Sequence, residues 1–168
     1  MLEPISVRPA GDDDLPEIAS LARAIWPICY REIISPAQIR YMLERMYSLE
    51  QLRADLSAGV SFDLLVENGR AIGFAGYGPV ESNPGECKLH KLYLHPSHHR
   101  RGYGSRLLKH VIETARSGGY SSLALNVNKN NTIAIEVYKR HGFAVREAVV
   151  VDIGGGFVMD DYVMVRTL

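Results

Sequence analysis

The sequence predicts a mixed α/β (α+β) fold, built on a mostly antiparallel, twisted sheet of about seven strands with helices on both faces. Three observations carry that expectation. Amphipathic helical segments crowd the first third of the chain, the middle reads as an antiparallel meander, and from Glu86 onward strands and helices alternate. The 168 residues suffice for one substantial core, so the span 1–168 is read as a single domain.

Ile5-Ser6-Val7-Arg8 alternates apolar and polar positions and is read as the first strand. Pro9 to Asp14 supplies turn residues and an acidic helix start, which the positive end of a helix dipole favours. Leu15, Ile18, Ala19, Ala22 and Ile25 form one apolar face through Trp26, with Pro16 tolerated in the first turn and Pro27 expected to interrupt the helix. Ser35-Pro36 reads as an N-cap followed by proline at the first helical position. It opens a second helix to about Tyr47 with Ile39, Met42, Leu43 and Met46 on one side. Ser48-Leu49-Glu50-Gln51 is a capping box for a third helix that runs to Gly59. Tyr30, Tyr41, Met42 and Tyr47 are either core residues or the lining of a substrate cleft.

Phe62 to Glu67 is strand-like, and Asn68-Gly69 is a hairpin signal because both residues tolerate the positive φ of a tight turn. Ala71 to Tyr77 returns as its partner, with Gly73 and Gly76 weakening the strand or marking a bulge. Val80 to Gly85 reads as a turn-rich loop before the strand that starts at Glu86. A helix from near Tyr103 ends at Ser117-Gly118-Gly119, and Ser122 to Val127 is the next strand. Asn131 to Gly142 is a capped helix. Phe143 to Val151 and Phe157 to Val165 close the chain as a strand pair around Gly154-Gly155-Gly156, and could pair across a homodimer.

Composition excludes several classes. Nineteen basic residues balance nineteen acidic ones, so no global field draws the chain to nucleic acid or to a membrane surface. The two cysteines, Cys29 and Cys87, make no disulfide framework and fit a reducing compartment. His95, His98 and His99 share a loop without a nearby Cys or carboxylate set, so no metal is expected. The N-terminus carries Glu3 and Asp12 to Asp14 and no long apolar run. Neither a signal peptide nor a membrane span is expected, and a cytoplasmic location follows by default.

Chemistry concentrates in two stretches. In His90-Lys91-Leu92-Tyr93-Leu94-His95-Pro96 a strand ends, and Arg100-Arg101-Gly102-Tyr103-Gly104-Ser105 leads into a helix N-terminus. Unpaired backbone N–H groups and the positive dipole end make such a turn an anion site, most naturally for phosphate, unless it is only a tight basic connection. Two better-known phosphate loops do not match: Arg106 and Leu107 stand where the triphosphate loop and the dinucleotide fingerprint need other residues. The second stretch is Asn131 to Phe143, in which Asn131 and Tyr138 lie seven residues apart and leave the same helix face.

The two stretches together resemble the GNAT superfamily of N-acetyltransferases. The family's phosphate loop, Gln/Arg-x-x-Gly-x-Gly/Ala after a strand ending Leu-Tyr-Val-x-Pro, is matched by Leu92-Tyr93-Leu94-His95-Pro96 with Gly102 and Gly104. His99 occupies the leading Gln/Arg position and is a departure. A second signature, Asn-x-x-Ala-x-x-x-Tyr followed by Gly-Phe, is matched by Asn131, Ala134, Tyr138, Gly142 and Phe143. More weakly, Met46 to Leu52 and Asp161 to Leu168 are similar to the bacterial spermidine/spermine (polyamine) acetyltransferase branch.

The resemblance implies acetyl-coenzyme A as cosubstrate and a small-molecule amine, with a polyamine as one option, as acceptor by direct attack. It places the pyrophosphate on backbone groups of Arg100, Arg101, Gly102, Tyr103, Gly104 and Ser105, and the pantetheine arm along Leu92, Tyr93 and Leu94. Asn131 would steady the coenzyme, and Tyr138 would be the acid or hydrogen-bond donor to the leaving sulfur. An amine with a pKa near ~10 lies about three units from free base at pH 7, a cost of roughly 4 kcal/mol, so a base would help. Glu86 and His90 share a strand face if alternation is unbroken, and His90 has the better unperturbed pKa. Two alternatives stand beside this reading: a protein N-terminal or lysine acetyltransferase, and an acyl-coenzyme-A-binding sensor without significant catalysis. Retention of Tyr138 argues against the sensor.

Overall fold

Alternation along the strands sends side chains to two separate cores, and that sidedness sets the layers. The computed structural model describes residues 4–168, so Glu3, counted above among the N-terminal acids, lies outside them. The strands are β1 (Ile5–Ala10), β2 (Ser61–Glu67), β3 (Arg70–Val80), β4 (Asn83–Leu94), β5 (Ser122–Asn128), β6 (Ala144–Gly154) and β7 (Phe157–Thr167). They form one seven-stranded sheet in the order β1-β2-β3-β4-β5-β7-β6, antiparallel at every junction except β4–β5. The mixed, mostly antiparallel sheet read from the sequence is the one observed.

Helices α1 (Leu15–Cys29), α2 (Pro36–Tyr47) and α3 (Leu49–Ser57) cover one face, where Leu15, Ile18, Ile25 and Leu52 pack on Phe62, Leu64 and Phe74. Helices α4 (Tyr103–Ser117) and α5 (Thr132–Arg140) cover the other, where Leu107, Leu108, Val111 and Ile135 meet Leu65, Ala75, Leu89 and Leu125. Each such buried aliphatic side chain contributes ~1.5–3 kcal/mol. Ser35 and Ser48 cap α2 and α3 by accepting from Gln38 N and Gln51 N, each at 3.1 Å, as their sequence positions suggest. Among the described residues no helix is long and apolar enough to cross a membrane.

Three local expectations are corrected. Helix α1 runs through Pro27 to Cys29, because a proline in the last turn forfeits one backbone bond on an exposed face and the helix ends before its ring does further harm. The segment from Val80 to Gly85 is a short hairpin rather than a loop: β3 reaches Val80 and β4 already begins at Asn83. Alternation along β4 is broken as well. Gly76 pairs with Lys91 and Tyr77 with Leu89, so His90 is the extra residue of a β-bulge.

That bulge positions the site. β4 pairs with β5 only from Glu86 to Leu89, against Ser122 to Leu125. Beyond it β4 bends with β3 and β5 stays with β7, so the two parallel strands splay into a wedge.

Candidate active site

The basic turn after β4 is organised from both ends. A single turn of tight helix at Pro96–His98 leads to Gly102, whose φ of 77° only glycine adopts without strain, and α4 begins there. No side chain caps α4, so the N–H groups of Tyr103, Gly104 and Ser105 point outward without helical partners. A Cβ at Gly102 or Gly104 would meet nothing within 4 Å, which leaves that concavity open. Glu67, at the end of β2, ties the loop down. It accepts from Tyr103 Oη at 3.0 Å, and His98 Nδ1 and Arg101 Nη1 lie 3.0 and 3.5 Å from it. His99, the departure from the family pattern, places Nε2 2.9 Å from the Leu94 carbonyl and packs the loop onto the strand end. The open N–H groups and glycine concavity suit a diphosphate, so Arg100 through Ser105 fit the coenzyme role expected of them.

Leu92, Tyr93 and Leu94 lie past the last β4–β5 pair, so their β5-facing backbone edge has no strand partner. Such an edge can hydrogen-bond an extended amide-bearing arm. Asn131 spends its side chain as the cap of α5, with Oδ1 accepting from Ala134 N at 3.3 Å. It sets the angle at which that helix presents Tyr138. The Tyr138 ring meets Phe143 edge-on at 5.7 Å. Burial, and then the neighbouring Tyr30 phenol, raise its pKa, so Tyr138 keeps its proton at any physiological pH.

The wedge opens on the other face into a cleft of ≈ 400 Å³. One wall is aromatic: Trp26 lies 4.4 Å from Tyr30 and 5.5 Å from Tyr93, ring to ring, and the Tyr30 and Tyr93 hydroxyls bond at 2.9 Å. The lining also takes Met42 and Met46 from α2 and Ile153 and Met159 from the β6–β7 hairpin. The hairpin is latched to α2, with Tyr41 Oη donating to the Ile153 carbonyl at 2.7 Å and Gln38 Nε2 to the Val158 carbonyl at 2.8 Å. The glycine run allows that approach: a Cβ at Gly154 would lie 2.5 Å from Tyr41 Oη. Charge in the cleft comes from Arg45 and Lys88, opposed by Asp161; Lys91 also lines it, but its buried ammonium lies 3.8 Å from Asp55 and over the Tyr47 ring.

The two candidate bases separate. Glu86 is buried but does not line the cleft: its carboxylate holds Arg146 at 2.7 Å and accepts from Ser122 Oγ at 3.2 Å. His90, turned by the bulge, does line it. Its ring is open to the cleft yet walled by it, and that partial desolvation, with the charges of Lys88 and Lys91, pushes its pKa down to about 4. The unperturbed value therefore misjudged it. Arg45, Lys88, Asn126 and Asp161 were not singled out from sequence. They come from four elements, and the one available signal is an acidic pair, Asp160-Asp161, between the two apolar runs of β7.

The family description "Acetyltransferase (GNAT) family" matches residues 18–143. The chain is 31% identical over 81 residues to the L-amino acid N-acyltransferase MnaT of Escherichia coli, 47% of each chain. It is 27% identical over 148 residues to an L-methionine sulfoximine/L-methionine sulfone acetyltransferase of Pseudomonas aeruginosa, covering 83% of this chain and 80% of that one. With the first of these relatives the chain shares about half of their length. In fold it is similar to the crystal structure of the PaiA N-acetyltransferase from Thermoplasma acidophilum in complex with coenzyme A. The TM-score is 0.83 at 23% identity, over 99% of this chain and 100% of that one. A match across residues 18–143, in a chain that carries both motifs in order on this sheet, means that the protein belongs to the acetyltransferase (GNAT) family.

Proposed function

We propose that the protein transfers the acetyl group of acetyl-coenzyme A to the amino group of a small amino-acid-like molecule. Acetyl-coenzyme A would supply an acetyl group activated as a thioester. On this reading Tyr103, Gly104 and Ser105 bind the diphosphate through backbone N–H groups, with Arg100 and Arg101 beside them. The free edge of Leu92 to Leu94 aligns the arm. Tyr138 holds a proton at Oη and donates it as a hydrogen bond to the leaving sulfur.

The observation that carries the acceptor class is the charge of the cleft: two cations, Arg45 and Lys88, beside the buried carboxylate of Asp161, with Lys91 already paired to Asp55. A zwitterionic amino acid supplies a carboxylate for the cations and an ammonium for the carboxylate. The named activities of the relatives, on L-amino acids and on methionine sulfoximine or sulfone, agree with that chemistry. A polyamine brings only positive charge to those cations, so the polyamine option is set aside. The hairpin latched across α2 favours a small acceptor over a protein chain, since a cleft of ≈ 400 Å³ is the size of a small-molecule site. The phenol of Tyr138, which coenzyme binding alone would not need, favours an enzyme over a sensor.

The test is thiol release from acetyl-coenzyme A with L-methionine sulfone as acceptor, run beside Tyr138→Phe. Turnover that collapses in the variant while coenzyme A still binds is the expected result. Coenzyme binding without thiol release on any amino acid would overturn the proposal.

A further inference from the structure

The reaction needs an acceptor for the ammonium proton, and Glu86 lies outside the cleft with its carboxylate committed to Arg146 and Ser122. A different carboxylate lines it. Asp161 sits on β7 in the cleft wall, 2% exposed, opposite Asn128 of β5 in register. Asn126 bonds the carboxylate, yet Oδ1 has no hydrogen-bond partner among the described residues. A buried carboxylate oxygen left without a donor is costly, and folded chains rarely keep one unless a ligand completes it. The groups facing it are Asn126, Lys88 of β4, Lys129 after β5, and its neighbour Asp160. Tyr30 also feels its charge, and Tyr30 in turn acts electrostatically on Tyr138.

We infer that Asp161 receives the substrate's ammonium at Oδ1 and takes its proton before attack. The inference rests on the proposed amino-acid acetylation. In the step, one N–H bond breaks, an O–H bond forms at Oδ1, and the nitrogen keeps the electron pair with which it attacks. The proton leaves to water when product departs. Desolvation raises the Asp161 pKa, which brings the carboxylate closer to the amine it must deprotonate. The same raised pKa sets the sign of the pH effect: the charged carboxylate is present above it, so ammonium binding weakens as pH falls through it.

Two ligands separate this role from a structural one: L-methionine sulfone and its analogue lacking the amino group. Each is titrated into the wild-type protein and into Asp161→Asn, with coenzyme A binding as the fold control. The expected result is that wild type prefers the amino-bearing ligand at least about tenfold and that Asp161→Asn abolishes the preference. Coenzyme affinity and the deaminated ligand should stay within about twofold. Equal losses for both ligands, or an undiminished preference in the variant, would overturn the inference. Should Asp161→Asn fail to fold, the wild-type pH series decides. Preference that fades as pH falls supports the inference, and preference that holds unchanged into the acid range contradicts it. Thiol release is read separately. Its absence in wild type counts against the acetyltransferase proposal, while the binding preference still judges Asp161.

Discussion

The proposed coenzyme half and the proposed acceptor half of this molecule are built on opposite principles. From Leu92 to Ser105 the working groups are backbone N–H and C=O, exposed by a strand that outruns its partner and by an uncapped helix. In the acceptor cleft they are side chains from segments far apart in sequence, namely Trp26, Arg45, Lys88, Asn126 and Asp161. Backbone chemistry demands glycines at fixed places and so leaves a readable pattern. Side-chain chemistry demands only that distant residues meet. A family can therefore keep the first and vary the second without disturbing the sheet that joins them.

The largest expected effect lies where the halves touch. Tyr138→Phe removes one donor and leaves the ring on Phe143, so kcat should fall by about 10²-fold or more, with coenzyme dissociation changed less than about threefold. A fall in coenzyme affinity of the same size would erase the division between the halves. Next comes Arg45→Met. Losing one charge-assisted contact should raise KM for the amino acid about tenfold, or ~1.4 kcal/mol, with kcat and coenzyme KM little moved. Gly104→Ala sharpens the other side: its Cβ enters open space, so the melting temperature should hold or rise while coenzyme affinity drops about fivefold.

How much of each half was legible follows from the same contrast. The seven strands, the turn at Asn68-Gly69 and the caps at Ser35 and Ser48 rest on local rules, and the chain obeys them. The bulge at His90 was legible only from the partner strand: Gly76 reads as a weakened position or a bulge marker, and the register shift falls there, between Gly76 and Tyr77, with the extra residue on β4. Parity along β4 then failed, and with it the pairing of Glu86 and His90 as candidate bases. In the sequence Asp161 stands only within a weak terminal resemblance. Nothing local says that its carboxylate lacks a partner.

Smaller effects refine the picture. Glu67→Gln loosens Tyr103, His98 and Arg101 together, and should weaken coenzyme binding about threefold without altering amine selection. His90→Gln should change the activity profile little above pH 5.5. Its visible effect is on stability: unfolded His90 takes up a proton near pH 6.5 and the folded residue only near about 4. Stability therefore declines as pH falls through that window. Melting curves of His90→Gln should show a small part of that decline removed.

The most direct test is a single-pot competition with acetyl-coenzyme A and equal amounts of L-methionine sulfone, spermidine, an aminoglycoside and a lysine-containing peptide, with products read by mass. Acetylation confined to the α-amino group of the amino acid is the result expected of a cleft that sets Arg45 and Lys88 beside one buried carboxylate. Acetyl groups on spermidine or on the peptide in preference to the amino acid would contradict it.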